Sequence, residues 1–292
     1  MESRPQTLST VVTPETTILG YSVAGEETVI LCPELDVVFD IGRCPREALA
    51  PDHLLLSHSH ADHSAGLLYY FAQRDFQGIG GGTCVLPANL VERAEELVHA
   101  WGRFEGHLPP YHFVGIRDGE DYEIRRGLIA RAFKVRHNRG AVGYSVIDVR
   151  QKLKDEYLGL GQDDIIALKK DDVEITRRVE IPLVAYLGDT AAMNFSDLPH
   201  VRDAKTLLIE CTFVDEEHTI RAKAGKHIYI EQLPEILEGM NNERVLITHI
   251  TKRSNLGFAR RRLKKLLAPE LYERVSFLMS RQYMPPKSAD NE

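Results

Sequence analysis

The segment Ser57-His58-Ser59-His60-Ala61-Asp62-His63 most narrows what this chain can be. Three histidines and an aspartate fall within six residues. Chance would produce that spacing in roughly one chain of this length per thousand. The apolar run HLLLSH leads into it and reads as a short buried strand, whereas AGLLYYFAQ after it has helical spacing. His58 and His60, two apart at the end of extended backbone, leave it on the same side. Asp62 and His63 then fall in the turn that opens the helix, aimed back over the strand end. Ligand groups packed onto one short turn can serve two adjacent metal ions.

One turn is not a complete site, because a zinc ion takes four donors and a catalytic one keeps a position open for water. The rest of the chain repeats a simple grammar, an apolar strand with one ligand-type residue at its end. RAFKVRH ends at His137, LVAYLGD at Asp189 and RVLITH at His249. These strand ends complete the donor set if the strands converge on one rim.

The 292 residues are enough for two small domains or one large α/β unit. Apolar residues at 43% and charged residues at 27% argue against a disordered chain. No apolar run approaches the ~18 residues of a membrane span. The opening MESRPQTLST has neither a basic nor an apolar region of a secretory signal, so a soluble, cytoplasmic protein is expected. Cys32, Cys44, Cys84 and Cys211 are scattered and read as reduced thiols. GIGGGT lacks the following Lys-Ser/Thr of a phosphate loop and reads as a turn. The net charge of −7 does not advertise nucleic-acid binding by the whole molecule. A local basic face remains available in Arg260, Arg261, Arg262, Lys264 and Lys265 of ARRRLKKLLA.

Strand-like runs appear at ILGYSV, ETVILC, VVFDIG, YEIRRG, LIARAFKVRH, GYSVIDV, PLVAYLGD, TLLIECTF, RVLITH and RVSFLMS. Helical patterns appear at LVERAEELVHAWGRF, YIEQLPEILEGM and FARRRLKKLLA. Strand runs followed by helices fit an α/β layered sandwich better than one doubly wound sheet. Residues 1–17 are expected to be a loosely held lead, 18–283 a single domain and 284–292 a mobile tail. Residues 151–180 read as an insertion between two core strands. No repeat of fixed period is visible.

HSHADH, Asp40 at the end of VVFDIG, His137, the Gly188-Asp189-Thr190 triplet and His249 together resemble the five motifs of the metallo-β-lactamase superfamily. YSVAGEETVILCPELDVVFDIGRCP, Glu210 to Phe213, His227 in KHIYIEQ and THITKRS resemble one branch more closely, the short form of the ribonuclease Z (tRNA 3′-endonuclease) family. The resemblance implies an αββα sandwich of two mixed sheets flanked by helices. It implies two zinc ions per chain, with manganese or iron as alternatives. His58, His60 and His137 would hold one ion, Asp62, His63 and His249 the other, with Asp189 between them and Asp40 fixing the histidine turn.

The implied reaction is removal of the 3′ trailer from precursor tRNA by attack of a hydroxide shared by the two metals, leaving a 3′-hydroxyl on the tRNA. Asp62 would orient the nucleophile, His227 would act as general acid with Glu210 as its partner, and Arg253, with Lys252, would meet substrate phosphates. A homodimer is implied, with no DNA or membrane partner. The alternative is a hydrolase of the same fold acting on a small or cyclic phosphodiester, a lactone or a thioester. Three departures stand out: 151–180 lacks the long Gly-Pro arm of many members, Ile209 replaces a common histidine, and Tyr229 replaces a small hydroxyl residue.

Overall fold

Short, uninterrupted runs such as VVF, TLLIE and RVLIT are what strands covered on both faces require, and they pair here as parallel strands inside two sheets. The computed structural model describes residues 8–278. One seven-stranded sheet runs in chain order through β1 (Ser9–Val12), β2 (Thr17–Val23), β3 (Glu27–Cys32), β4 (Val37–Phe39), β5 (His53–Leu55), β6 (Thr83–Pro87) and β7 (His112–Ile116). The other holds β8 (Asp121–Arg125), β9 (Leu128–Lys134), β10 (Val142–Leu153), β11 (Thr176–Tyr186), β12 (Thr206–Glu210), β13 (Arg244–Thr248) and β14 (Val275–Phe277), again in chain order. In both, the first three pairings are antiparallel and the last three parallel. The chain therefore repeats a topology that no sequence period announces.

Helices α1 (Ala61–Ser64), α2 (Leu67–Phe76), α3 (Val91–Glu105), α4 (Gln162–Lys170), α5 (Pro199–Arg202), α6 (Thr219–Gly225), α7 (Leu233–Leu237), α8 (Leu256–Leu266) and α9 (Pro269–Glu273) lie between the strands in sequence. Ile30, Phe39, Leu55 and Val85 of one sheet share a buried cluster with Tyr144, Val146, Val184 and Leu208 of the other, so the core lies between the sheets. The neighbouring strand positions Leu54 and Leu207 belong to a second cluster with Tyr70 and Phe71 of α2 and Leu263 of α8. This is the alternation that a strand buried on both faces imposes. Helix α8 is capped by Asn255, whose side chain accepts a bond from the Phe258 amide, and buries Leu256, Ala259 and Leu263 on one stripe.

Backbone bonds join the sheets along one rim: Val142 N donates to Ser57 O at 3.1 Å and Ala24 N to Ile250 O at 3.4 Å. All the ligand-type strand ends lie near this rim.

Three sequence expectations change. Residues 9–12, placed in the loose lead, form the edge strand β1, which pairs with β2 from Ser9–Gly20 to Val12–Thr17. Strands β6 and β7 are parallel neighbours that were not anticipated, because TCVLP and HFVGI are too short to show a period. Residues 151–180 are the outer ends of β10 and β11, paired from Leu153–Thr176 inward and crossed at the tip by α4, so the insertion is an extended hairpin. The expected tail at 284–292 lies outside the described residues. Among the described residues no helix is long and apolar enough to cross a membrane. None of the four cysteines forms a disulfide among the described residues.

Candidate active site

Asp40 follows β4 and is fully buried, with a left-handed φ of 56°. Its carboxylate binds four groups at once. Oδ1 accepts from Ser57 N at 2.7 Å. Oδ2 accepts from Ser57 Oγ at 2.7 Å, from His63 Nδ1 at 2.7 Å and from Tyr186 OH at 2.6 Å. The turn that carries the histidines is thus tied to β4 and to the opposite sheet. Gly42 is required beside it, since a Cβ there would lie 2.0 Å from the Asp62 carbonyl oxygen.

Tautomers follow from this network. With Asp40 accepting from His63 Nδ1–H, the lone pair of His63 is on Nε2. The Ser57 hydroxyl proton goes to Asp40, so Ser57 Oγ accepts from His58 Nδ1 at 3.0 Å and the His58 lone pair is also on Nε2. Thr212 does the same on the far side: its hydroxyl donates to Glu210 Oε2 at 2.7 Å and accepts from His249 Nδ1 at 2.9 Å. His249 itself has a left-handed φ of 59° and its amide is held by Ser22 Oγ at 3.0 Å. A non-glycine residue in that region costs on the order of 1 kcal/mol, so the surrounding bonds must hold it there.

The Nε2 atoms of His63 and His249 are 3.1 Å apart. Two lone pairs at that separation need a positive charge between them. Burial pulls the His63 imidazole down, yet Asp189 and Asp40 hold it well above its ordinary range, so the protein environment favours that charge. Asp189, reached through the left-handed Gly188 (φ 61°), lies among the histidines. Its Oδ2 is 3.4 Å from His63 Nε2, 3.7 Å from His58 Nε2 and 3.8 Å from His137 Nε2, and its Oδ1 is 3.4 Å from His249 Nδ1. Burial pushes the Asp189 carboxyl up, but His249 and His63 keep it well below the usual carboxylate range.

Four groups of donor atoms lie within 4.8 Å of one another among the described residues: two divide the expected ligands, His58, His60, His137 and Asp189, and Asp62, His63 and His249, and two join them to their neighbours, Asp40, His58 and His63, and Asp189, His227 and His249. His60 faces His137 through Nδ1, at 3.0 Å from its Nε2. His58 Nε2 and Asp189 Oδ1 are buried without a hydrogen-bond partner. Buried polar atoms are almost always satisfied, so unpartnered lone pairs converging on one point fit a divalent cation.

A second layer of polar contacts sits beside this cluster. Glu210, at the end of β12, accepts from Thr190 N at 2.8 Å, Thr212 N at 3.1 Å, Ile228 N at 3.2 Å and His227 Nδ1 at 2.8 Å. His227 Nδ1 is also 3.9 Å from Asp189 Oδ2, and its ring stacks on that of His249. Burial lowers the affinity of His227 for a proton, but the Glu210 carboxylate reverses this and pushes it up to about 9.

Lys252 and Arg253 are on the exposed loop after His249, where Lys252 pairs with Glu26 at 2.6 Å. Tyr229 anchors α8 by accepting from Arg262 at 2.9 Å, and Arg262 also pairs with Glu216 and Glu231. The sequence reading passed over Ser22, Ser57, Thr212 and Lys226. Lys226 has a left-handed φ of 57° and donates to the His137 carbonyl at 2.8 Å. For Ser57, Thr212 and Lys226 the available signal was adjacency, since each stands next to, or two from, a candidate site residue, whereas Ser22 reaches His249 only through the fold.

A tRNase Z of Arabidopsis thaliana is 36% identical to this chain over 239 residues, which are 81% of this chain and 85% of that protein. The chain belongs to the ribonuclease Z family. Among solved structures, the short form of human tRNase Z shares the fold with a TM-score of 0.54 at 14% identity, covering 93% of this chain and 94% of that one. A metallo-β-lactamase fold protein of Bacillus subtilis aligns with a TM-score of 0.60 at 14% identity, over 88% of this chain and 92% of its own. No protein-family model matches the chain. For a ribonuclease Z family member, the expected two mixed sheets flanked by helices are the architecture described above.

Proposed function

We propose that this chain is a zinc-dependent endoribonuclease that removes the 3′ trailer of precursor tRNA and leaves a 3′-hydroxyl on the tRNA. The observation that carries the reading, beside family membership, is the His227–Glu210 pair, 2.8 Å apart and next to Asp189. His58, His60 and His137 would hold one zinc ion and Asp62, His63 and His249 the second, with Asp189 between them. When bound, the ions supply a nucleophile from water near neutral pH and counter-charge for the phosphate.

The chain's own groups do the rest. Asp62 Oδ2 is fixed by the Gly25 amide at 2.7 Å and lies 3.4 Å from His249 Nε2, a placement suited to orienting the attacking water. A ribose 3′-oxygen is a poor leaving group, and His227, kept charged by Glu210, is the proton donor for it. Arg253, on the exposed loop after His249, would meet a substrate phosphate, with Lys252 beside it. A cytoplasmic homodimer belongs to the same reading, with light scattering of the purified protein as the check on its assembly.

The test is incubation of the zinc-loaded protein with a precursor tRNA bearing a trailer, mapping the cut at nucleotide resolution. A single cut after the tRNA 3′ end with a 3′-hydroxyl is expected. Absence of RNA cleavage alongside rapid hydrolysis of a small cyclic phosphodiester, a lactone or a thioester would overturn it.

A further inference from the structure

Two adjoining cavities, of about 420 and 380 Å³, share Asn89, Asn138 and Arg139 and form a groove lined by chain neighbours of the cluster. Ser59, between His58 and His60, lines one wall, and Asn138 and Arg139, directly after His137, line the other. The groove is built. Asn89, in the connection between β6 and α3, donates from its side chain to the Arg139 carbonyl at 3.2 Å. Gly140 packs so closely that a Cβ would lie 2.1 Å from the Asn89 side-chain oxygen.

In a chain of net charge −7, the groove gathers Arg93, Arg117, Lys134 and Arg139 against the single acid Asp118. Arg117 is paired with Glu120, but no ion pair engages Arg93, Lys134 or Arg139 among the described residues. The cavity on the other side of the cluster, beside His227, has the opposite balance, with Lys223 against Glu231 and Glu235. The hairpin tip is no better suited to a polyanion, since residues 151–175 carry four lysines against seven acids.

Direction follows from the chemistry, and here the inference rests on the endoribonuclease reading. If His227 protonates the 3′-oxygen, the nucleotide that keeps that oxygen lies on the His227 side. The strand carrying the 5′-phosphate is then free to leave past His60 and His137, whose neighbours Ser59 and Asn138 line the groove. We propose that the groove between the β6–α3 connection and residues 138–142 is the track for RNA downstream of the cut, with its phosphates on Arg93, Lys134 and Arg139. Unpaired cations along a groove lined by chain neighbours of the cluster are the expected footprint of a phosphate backbone.

Two measurements on the zinc-loaded full chain test this with the R93Q/R139Q variant. The first is binding of a 5′-phosphorylated single-stranded RNA octamer, labelled at its 3′ end, followed by fluorescence anisotropy. The variant should bind about tenfold more weakly, and its slope of log affinity against log salt should be shallower by about 1.4, or 0.7 for each lost single-strand contact. The second compares precursor tRNAs with trailers of one and about ten nucleotides. The preference in kcat/KM for the long trailer should fall about tenfold, and R93K/R139K should restore most of it.

Unchanged octamer binding, or equal losses on both trailers, would overturn the track. Loss of octamer binding in the variant of a chain that cuts no precursor would sink the endoribonuclease reading and leave the groove standing as a polyanion site.

Discussion

His63 Nε2 and His249 Nε2 face each other across 3.1 Å although each ring has committed its Nδ1 proton elsewhere, to Asp40 and to Thr212. The pair comes from opposite halves of the chain, and the arrangement is stable only with positive charge between the rings. Thr212→Val removes the acceptor that sets the His249 tautomer while preserving shape. It should weaken metal binding about tenfold to a hundredfold in competition with a chromophoric chelator. Wild-type affinity in that variant would remove Thr212 from the site.

Metal removal should destabilise the fold as well as silence it. At a free zinc concentration a hundred times the dissociation constant, linkage adds about 2.7 kcal/mol to the folded state. Dialysis against a chelator should therefore lower the thermal midpoint, and zinc should restore it. Identical melting curves with and without zinc would contradict the assignment of the donor set.

Tyr186→Phe deletes one of the four bonds to Asp40 without emptying the core. Loss of a hydrogen bond to a charged acceptor predicts a cost of about 1.5–3 kcal/mol in denaturant unfolding. Asp40→Asn should cost more, because it removes the buried charge on which Ser57, His63 and Tyr186 converge. A milder effect for Asp40→Asn than for Tyr186→Phe would refute the ranking.

His227→Ala separates proton donation from the rest of the site. Precursor tRNA cleavage should fall about a hundredfold or more, whereas hydrolysis of bis(p-nitrophenyl) phosphate, whose phenolate leaves unaided, should stay within about fivefold. Equal losses on the two substrates would show that His227 is not the acid.

Glu34 offers a test away from the site. Hydrogen bonds from the Thr16 hydroxyl and from Thr17 draw its carboxyl down to about 2. A depressed folded-state value means the contribution is complete above the ordinary 4.5 and is lost as pH falls toward 2. The stability gap between wild type and Glu34→Gln should thus be widest above about pH 5 and close by about pH 2. A gap that persists in acid would assign the effect to something other than the carboxylate charge.

Part of the candidate donor set was legible because its members sit where an apolar run stops. A strand end is easy to see in sequence, and His58, His137, Asp189 and His249 all mark one. The tautomer-setting groups were not legible. Ser57 and Thr212 look like ordinary strand-end hydroxyls until the fold sets Ser57 beside Asp40 of the neighbouring strand and turns Thr212 back onto Glu210 of its own. β6 and β7 escaped because five residues do not establish a period. The outer parts of β10 and β11 escaped because no position there is fully buried, so charged and polar residues interrupt the apolar ones and the alternation of a half-buried strand disappears.

The matching strand order of the two halves has a mechanical consequence. His58, His60, Asp62 and His63 ride on the first sheet, while His137, Asp189 and His249 ride on the second. An ion gripped from both sides would act as a rivet through the sandwich, so that sliding or opening of one layer against the other would first have to break coordination. With the ion bound, catalytic readiness and resistance to shear would be fastened at the same point.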